Sequence, residues 1–205
     1  MDPVVAANKP VEAVELTGMV EIRWHSRAGQ GAVTAAETLA SAALREGRHV
    51  QAFPEFGPER MGAPLRAFNR ISPNPIRIHG VIEEAHVVIV VDPSLLGAVP
   101  VEANVAPTGI ILVNTTQTVD EVRRRLRLSG QRLACVDATR TAVECFGLQK
   151  PNTPMLGAVA RATGLVRLDS LLAEVEETFS KKFSSRVVEG NLIAVRRAYE
   201  EVTFD

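Results

Sequence analysis

Cysteine is scarce in this chain: two residues in 205, Cys135 and Cys145. A [4Fe–4S] cluster takes four thiolates, and a structural zinc site takes several Cys or His at short spacing. Cys135 and Cys145 are ten residues apart with no Cys-x-x-Cys spacing, so the chain is expected to hold no cluster of its own. Cys135 lies in the apolar run Leu133-Ala134-Cys135-Val136, which predicts a buried, inert thiol. Nothing here resembles a disulfide framework, and a reducing compartment is the expectation. Histidine is also sparse. His25, His49, His79 and His86 show no His-x-His or His-x-x-x-His spacing, which argues against a metal site.

An excess of either charge is missing too. With 23 basic and 24 acidic residues the net charge is −1. That balance argues against the broad basic field of a nucleic-acid binder and against a polybasic membrane anchor. No apolar run is long enough to cross a bilayer; the longest, Val87 to Val91, is strand-sized. Residues 1–17 carry Asp2, Lys9 and Glu12 and lack the apolar core of a signal peptide. They read as a tail or arm ahead of one domain over 18–205, and the expected location is cytoplasmic. Gly and Pro, at 14 and 12 residues, are near their average use, which excludes a collagenous or linker-like chain. There is no Gly-x-Ser-x-Gly, no P-loop and no evident acid–base pair of carboxylates, so no catalytic residue stands out.

What is present is alternation of strand-like and helix-like stretches. Met19–His25 alternates, with Val20, Ile22 and Trp24 on one face and Glu21 and Arg23 on the other. Ala32–Arg45 is Ala-rich with no Gly or Pro and predicts a helix, with Gly47 placed to end it. Further strands are predicted at His49–Phe53, Leu65–Ser72, His86–Asp92, Gly109–Asn114 and Leu133–Val136, with a short edge piece at Ile76–Ile78. Helices are predicted at Val119–Leu128, Thr153–Thr163 behind an Asn152 N-cap, Ser170–Ser180 and Leu192–Glu201. This order predicts an α/β fold, three-layered α/β/α, around a largely parallel or mixed, Rossmann-like sheet.

Two segments are candidates for function. The first is the turn His25-Ser26-Arg27-Ala28-Gly29-Gln30-Gly31 between strand and helix, continued by Thr34. In open α/β sheets ligands bind beyond the carboxyl ends of strands, where a helix N-terminus offers free N–H groups to an anion. Gly29 and Gly31 would let the backbone approach a phosphate, Arg27 would add charge, and Thr34 a hydroxyl. The third Gly of a dinucleotide fingerprint would fall at position 34, which is Thr, so the same glycines serve equally well a tight turn alone. The second segment is the Pro- and Gly-framed loop Phe53–Pro64. It carries Glu55, Phe56, Gly57, Glu59, Arg60 and Met61, an interface-like composition. The basic run Arg123, Arg124, Arg125 and Arg127 reads as a solvated helix face.

The stretch Trp24-His25-Ser26-Arg27-Ala28-Gly29-Gln30-Gly31-Ala32-Val33-Thr34-Ala35-Ala36-Glu37 resembles the opening of the gamma subunit of pyruvate:ferredoxin oxidoreductase and related 2-oxoacid oxidoreductases. Collinear matches follow at Gln51–Pro64, Arg70-Ile71-Ser72, Val91-Asp92-Pro93 and Asn152-Thr153-Pro154-Met155-Leu156-Gly157-Ala158. Where the family usually shows Gly-Arg-Gly-Gly-Gln-Gly, this chain has Ser26 and Ala28, whose Cβ atoms narrow the allowed backbone. Met61 stands where the family commonly has Arg.

The resemblance implies a division of labour. Such enzymes oxidatively decarboxylate a 2-oxoacid to an acyl-CoA and pass electrons to ferredoxin. Thiamine diphosphate with its magnesium ion and the [4Fe–4S] clusters would reside on partner chains, the alpha, beta and delta-type subunits. The gamma domain would have no complete active site. It would support assembly through the Glu55–Met61 loop and contact coenzyme A through Arg27, Gly29, Gln30, Gly31 and Thr34. Pyruvate is the expected substrate, with aryl-2-oxoacid and oxalate enzymes as related variants. A free-standing nucleotide-binding or regulatory module is the competing class.

Overall fold

Ile22 and Trp24 point to one side of the first strand and Arg23 and His25 to the other, and that alternation divides the molecule. The computed structural model describes residues 18–55 and 62–205. The N-terminal arm and the loop residues Phe56, Gly57, Pro58, Glu59, Arg60 and Met61 lie outside the described residues.

A seven-stranded sheet runs through the middle. Its strands are β1 (Val20–Arg27), β2 (His49–Pro54), β3 (Pro64–Ser72), β4 (Ala85–Val90), β5 (Val105–Asn114), β6 (Arg132–Val136) and β7 (Thr203–Phe204), in the order β2-β3-β1-β4-β5-β6-β7. β1, β4, β5 and β6 are mutually parallel. β3 is antiparallel to both β1 and β2, and β7 is antiparallel to β6. The sheet is therefore mixed. From β1 the chain turns to the β2–β3 side; from β4 it runs the other way through β5 and β6. The crevice between the ends of β1 and β4 is the switch point at which such folds bind ligands.

Among the described residues six helices cover the sheet unequally. α1 (Ala32–Arg45), α3 (Ala138–Phe146), α4 (Asn152–Thr163), α5 (Leu168–Ser180) and α6 (Ser185–Glu201) gather on the Trp24 side. Among the described residues, the opposite side has only α2 (Val119–Arg125), a 3-10 turn at Pro93–Leu95 and irregular chain over the core of Val88, Val90, Leu95, Ile111 and Val113. The three layers are present, with the third reduced to this thin cover.

α1 forms because eight of its fourteen residues are alanine or leucine, which carry no β-branch and favour the helix, and its buried stripe of Ala35, Ala36, Leu39, Ala42 and Ala43 is small enough to lie close to the sheet. Each fully buried Leu or Ile on this face contributes about 1.5–3 kcal/mol. Trp24 is sealed in this core. Its indole Nε1–H donates to Asn69 Oδ1 at 2.8 Å, and the Asn69 amide donates to the Ala36 carbonyl at 2.8 Å. One buried amide thus ties β1, β3 and α1 together without an orphaned polar atom. α2 starts with a reciprocal capping box between Thr118 and Glu121.

Several expectations need correction. Ile76–Ile78 forms no strand. Val119–Leu128 is helical only to Arg125. Asn152 is the first residue of α4 and not its cap, which is Pro151. α6 starts at Ser185, ahead of the expected Leu192, α5 starts at Leu168, and α3 and β7 were not anticipated. The basic run is only partly a solvated face: Arg123 pairs with Asp205, and Arg125 donates to the Leu96 carbonyl and to Gln117.

Candidate functional site: the turn after β1

The backbone leaves β1 through Ser26 and Arg27, turns at Ala28–Gln30 and enters α1 at Gly31. Gly29 and Gly31 have φ of 94° and 83°, in the region where a Cβ is costly. At Gly31 a Cβ would also sit 2.7 Å from the Asn152 side-chain nitrogen. The start of α4 is therefore pressed directly against the start of α1. Neither helix has a side-chain cap: Gly31 has no side chain to offer, and Pro151 makes no capping bond. Two sets of first-turn N–H groups and two positive helix ends meet at one place. Lys150 lies across it, its ammonium donating to the Gly29 carbonyl at 2.9 Å.

The side chains of the turn divide into those that build it and those that remain available. Gln30 builds it. Its Oε1 accepts from Ser26 Oγ and from the Arg27 N–H, both at 2.9 Å, while Nε2 donates to Asp92 Oδ2 at 2.6 Å. The amide is consumed in holding the end of β1 to the end of β4. Arg27 is similarly engaged: Nε and Nη2 donate to Ser94 Oγ at 3.0 and 2.9 Å, Nη1 donates to the Gly62 carbonyl at 3.0 Å, and Asp92 lies 3.4 Å away. Its charge is answered within the chain. Burial pushes the Asp92 carboxyl up, but hydrogen bonds from Ser94 and Gln30 and the charge of Arg27 outweigh it and hold the group below its ordinary range. Thr34 is exposed one turn into α1, and Thr38 Oγ1 donates to its carbonyl.

Of the five residues expected at this site, Gly29 and Thr34 are exposed, Gly31 packs against Asn152, and Gln30 and Arg27 shape the turn. Asp92, Ser94, Lys150 and Asn152 were missed as members. Asp92 and Asn152 each stood in a stretch that carried the family resemblance, and that was the signal available. Of the expected interface residues only Glu55 is among the described residues. It pairs with Arg66 across β2 and β3. Cys135 is buried, and burial pushes its thiol up to about 12. No helix among the described residues is long and apolar enough to cross a membrane.

The profile of the family described as pyruvate ferredoxin/flavodoxin oxidoreductase matches residues 21–201. The chain is similar to the pyruvate/ketoisovalerate oxidoreductases common subunit gamma of Pyrococcus furiosus, with 52% identity over 183 residues, 89% of this chain and 97% of that protein. It is 48% identical over 182 residues to the pyruvate synthase subunit PorC of Thermotoga maritima, covering 89% of this chain and 94% of that one. The crystal structure of pyruvate oxidoreductase subunit PORC from Thermotoga maritima superposes with a TM-score of 0.81 at 43% identity, over 92% of this chain and 99% of that one. The match is collinear and takes in every strand of the sheet except the last, together with the β1–α1 turn and the start of α4; the chain belongs to the pyruvate ferredoxin/flavodoxin oxidoreductase family.

Proposed function

We propose that this chain is the gamma subunit of a multi-subunit 2-oxoacid:ferredoxin oxidoreductase of the pyruvate type, which decarboxylates a 2-oxoacid oxidatively to an acyl-CoA. The observation that carries this is the 52% identity over 97% of a relative named as a gamma subunit. That relative is named as common to pyruvate and ketoisovalerate oxidoreductases, so the choice among 2-oxoacids is assigned here to the other chains. Thiamine diphosphate, magnesium and the [4Fe–4S] clusters are likewise assigned to alpha, beta and delta-type partners, with ferredoxin as electron acceptor. The loop running on from Glu55 through Phe56, Gly57, Glu59, Arg60 and Met61 is the proposed contact with them.

Within the complex, the turn after β1 is the proposed contact for the phosphates of coenzyme A, whose thiol accepts the acyl group. Uncapped N–H groups from α1 and α4, the open Cβ-free surface at Gly29, and the Lys150 ammonium support that reading. Arg27 and Gln30 position this surface. The test of the subunit assignment is reconstitution. The purified chain alone should give no 2-oxoacid-dependent viologen reduction, and adding it to the other subunits should restore the rate. Tight nucleotide binding by the isolated chain, with no recovery on mixing, would instead identify a free-standing module.

A further inference from the structure

Arg23 is 4% exposed, at the centre of β1 on the thinly covered side of the sheet. Its guanidinium has neutral partners. Nε donates to His25 Nε2 at 3.1 Å, and Nη2 donates to the carbonyls of Val101 at 3.3 Å and of Ala103. Because His25 Nε2 is the acceptor, the imidazole proton is assigned to Nδ1. The ring carries no charge that could oppose or answer the guanidinium. Among the described residues no carboxylate pairs with Arg23, and Nη1 makes no hydrogen bond. No described buried side-chain nitrogen or oxygen lacks a partner, so Nη1 is reached by solvent. A buried cation without a counter-ion is costly, and side chains of this type are otherwise found paired.

The space beside it supplies a reason. Arg23 and His25 line a cavity of about 320 Å³ whose other walls include Leu65, Leu95, Val99 and Pro100. Arg66 and Glu55 also line it, already paired to each other. Among the described residues the cavity thus holds one unanswered positive charge at its polar end and aliphatic walls around the rest.

We propose that this cavity is a binding site for a small monocarboxylate bearing a short aliphatic tail, with the carboxylate on Arg23 and the tail against Leu65, Leu95 and Val99. An acid alone would be served equally by an exposed arginine. The combination of a buried guanidinium and aliphatic walls selects a carboxylate with apolar substance behind it. The volume admits a molecule of a few carbons with room to spare. The site lies on the opposite sheet face from the α4–α6 layer and does not use the residues of the turn after β1. Its existence is independent of the proposed coenzyme A contact.

The experiment titrates the full chain with isobutyrate, following amide shifts by NMR. Isobutyramide, its neutral isostere, and chloride are the controls. Saturable shifts at Arg23, His25, Leu95 and Val99 are expected for isobutyrate. Isobutyramide and the Arg23→Met variant should each bind ten- to hundredfold more weakly, the loss of one charge-assisted hydrogen bond. Arg23→Lys keeps the charge and should retain binding, which separates recognition from a folding defect. Equal response to chloride, or to isobutyramide, overturns the proposal. The titration is then repeated on the reconstituted complex. Retained binding supports a solute site. Loss of the response on assembly overturns it and identifies the cavity as the seat of a partner's acidic side chain.

Discussion

The Gln30 amide spans the ends of two parallel strands, donating to Asp92 Oδ2 at 2.6 Å while accepting from the Arg27 N–H at 2.9 Å. A side chain that its sequence surroundings place in a phosphate-binding turn is therefore spent on closing the switch point of the sheet. Gln30→Ala removes the acceptor for Ser26 Oγ and the Arg27 N–H, and one donor to Asp92. Unsatisfied buried partners cost about 1–3 kcal/mol, so urea unfolding should show a loss in that range. Gln30→Glu keeps the acceptor but brings a second carboxylate against Asp92. It should be less stable than Gln30→Ala at pH 7 and recover relative to it at pH 4, where carboxylates begin to protonate. Identical pH behaviour of the two variants would contradict the contact.

How much of this could be read from residue order depends on range. β1 and α1 were readable because a two-residue alternation and an Ala-rich run are local signals. α3 was not: Ala138, Thr141 and Ala142 are its buried residues, too small and too few to draw a stripe. The start of α6 was hidden by Gly190, which reads as a breaker. Its missing side chain is used for packing, since a Cβ there would lie 2.7 Å from the Cys145 carbonyl oxygen. β7 is two residues long and exists only through its pairing with β6. At the site, the glycines and the helix start were visible. The commitment of Arg27 to Ser94 was not, because those residues are 67 positions apart and meet only across the sheet.

Among the described glycines, Gly157 leaves the least room for a side chain. A Cβ there would fall 2.0 Å from the Val195 carbonyl oxygen, and that atom belongs to helix backbone with nowhere to move. Gly157→Ala should force α4 and α6 apart. Overpacking of this kind costs about 1–3 kcal/mol and occasionally more. Gly18→Ala meets nothing within 4 Å and should stay within about 0.5 kcal/mol of the parent. Thermal or urea unfolding of the two variants side by side decides it. Equal midpoints would mean that the helices do not touch there.

Lys150 offers a test of the proposed coenzyme A contact that leaves the turn's own scaffold alone. Its ammonium is exposed and makes one hydrogen bond, to the Gly29 carbonyl. Lys150→Ala in the reconstituted complex should raise KM for coenzyme A about tenfold, as expected for one charge-assisted contact. KM for the 2-oxoacid should be unchanged. Equal increases in both would indicate an assembly defect. No change in either would leave Lys150 as a strut for the turn.

The two cysteines should separate by reactivity. Cys135 is 3% exposed and its thiol is pushed up to about 12, so almost no thiolate forms at pH 8. Cys145 is half-buried, with the Arg197 guanidinium 3.8 Å from its sulfur. Titration of the folded chain with a disulfide reagent should consume one thiol, and a second only in denaturant. Two thiols reacting at equal rates in the folded chain would show that β6 is open to solvent.

His25 should leave a signature in the pH dependence of stability. Burial first, then the charges of Arg23 and Arg66, lower its imidazole from 6.5 to about 3. In the folded chain it stays neutral down to that pH, while in the unfolded chain it protonates near 6.5. Between those limits the unfolded state binds the extra proton, so stability rises with pH and is lost as acid is added. The slope from one such group approaches about 1.4 kcal/mol per pH unit. His25→Gln keeps an acceptor for the Arg23 Nε–H but cannot take up a proton. Its stability should therefore fall less steeply than that of the parent between about pH 6 and 4.5, a range above the titration of ordinary aspartates. Urea unfolding at three pH values in that range gives the comparison. Parallel lines for the two proteins would mean that His25 is free to ionise in the folded state, and that Arg23 has a neighbour able to share a cavity with a second cation.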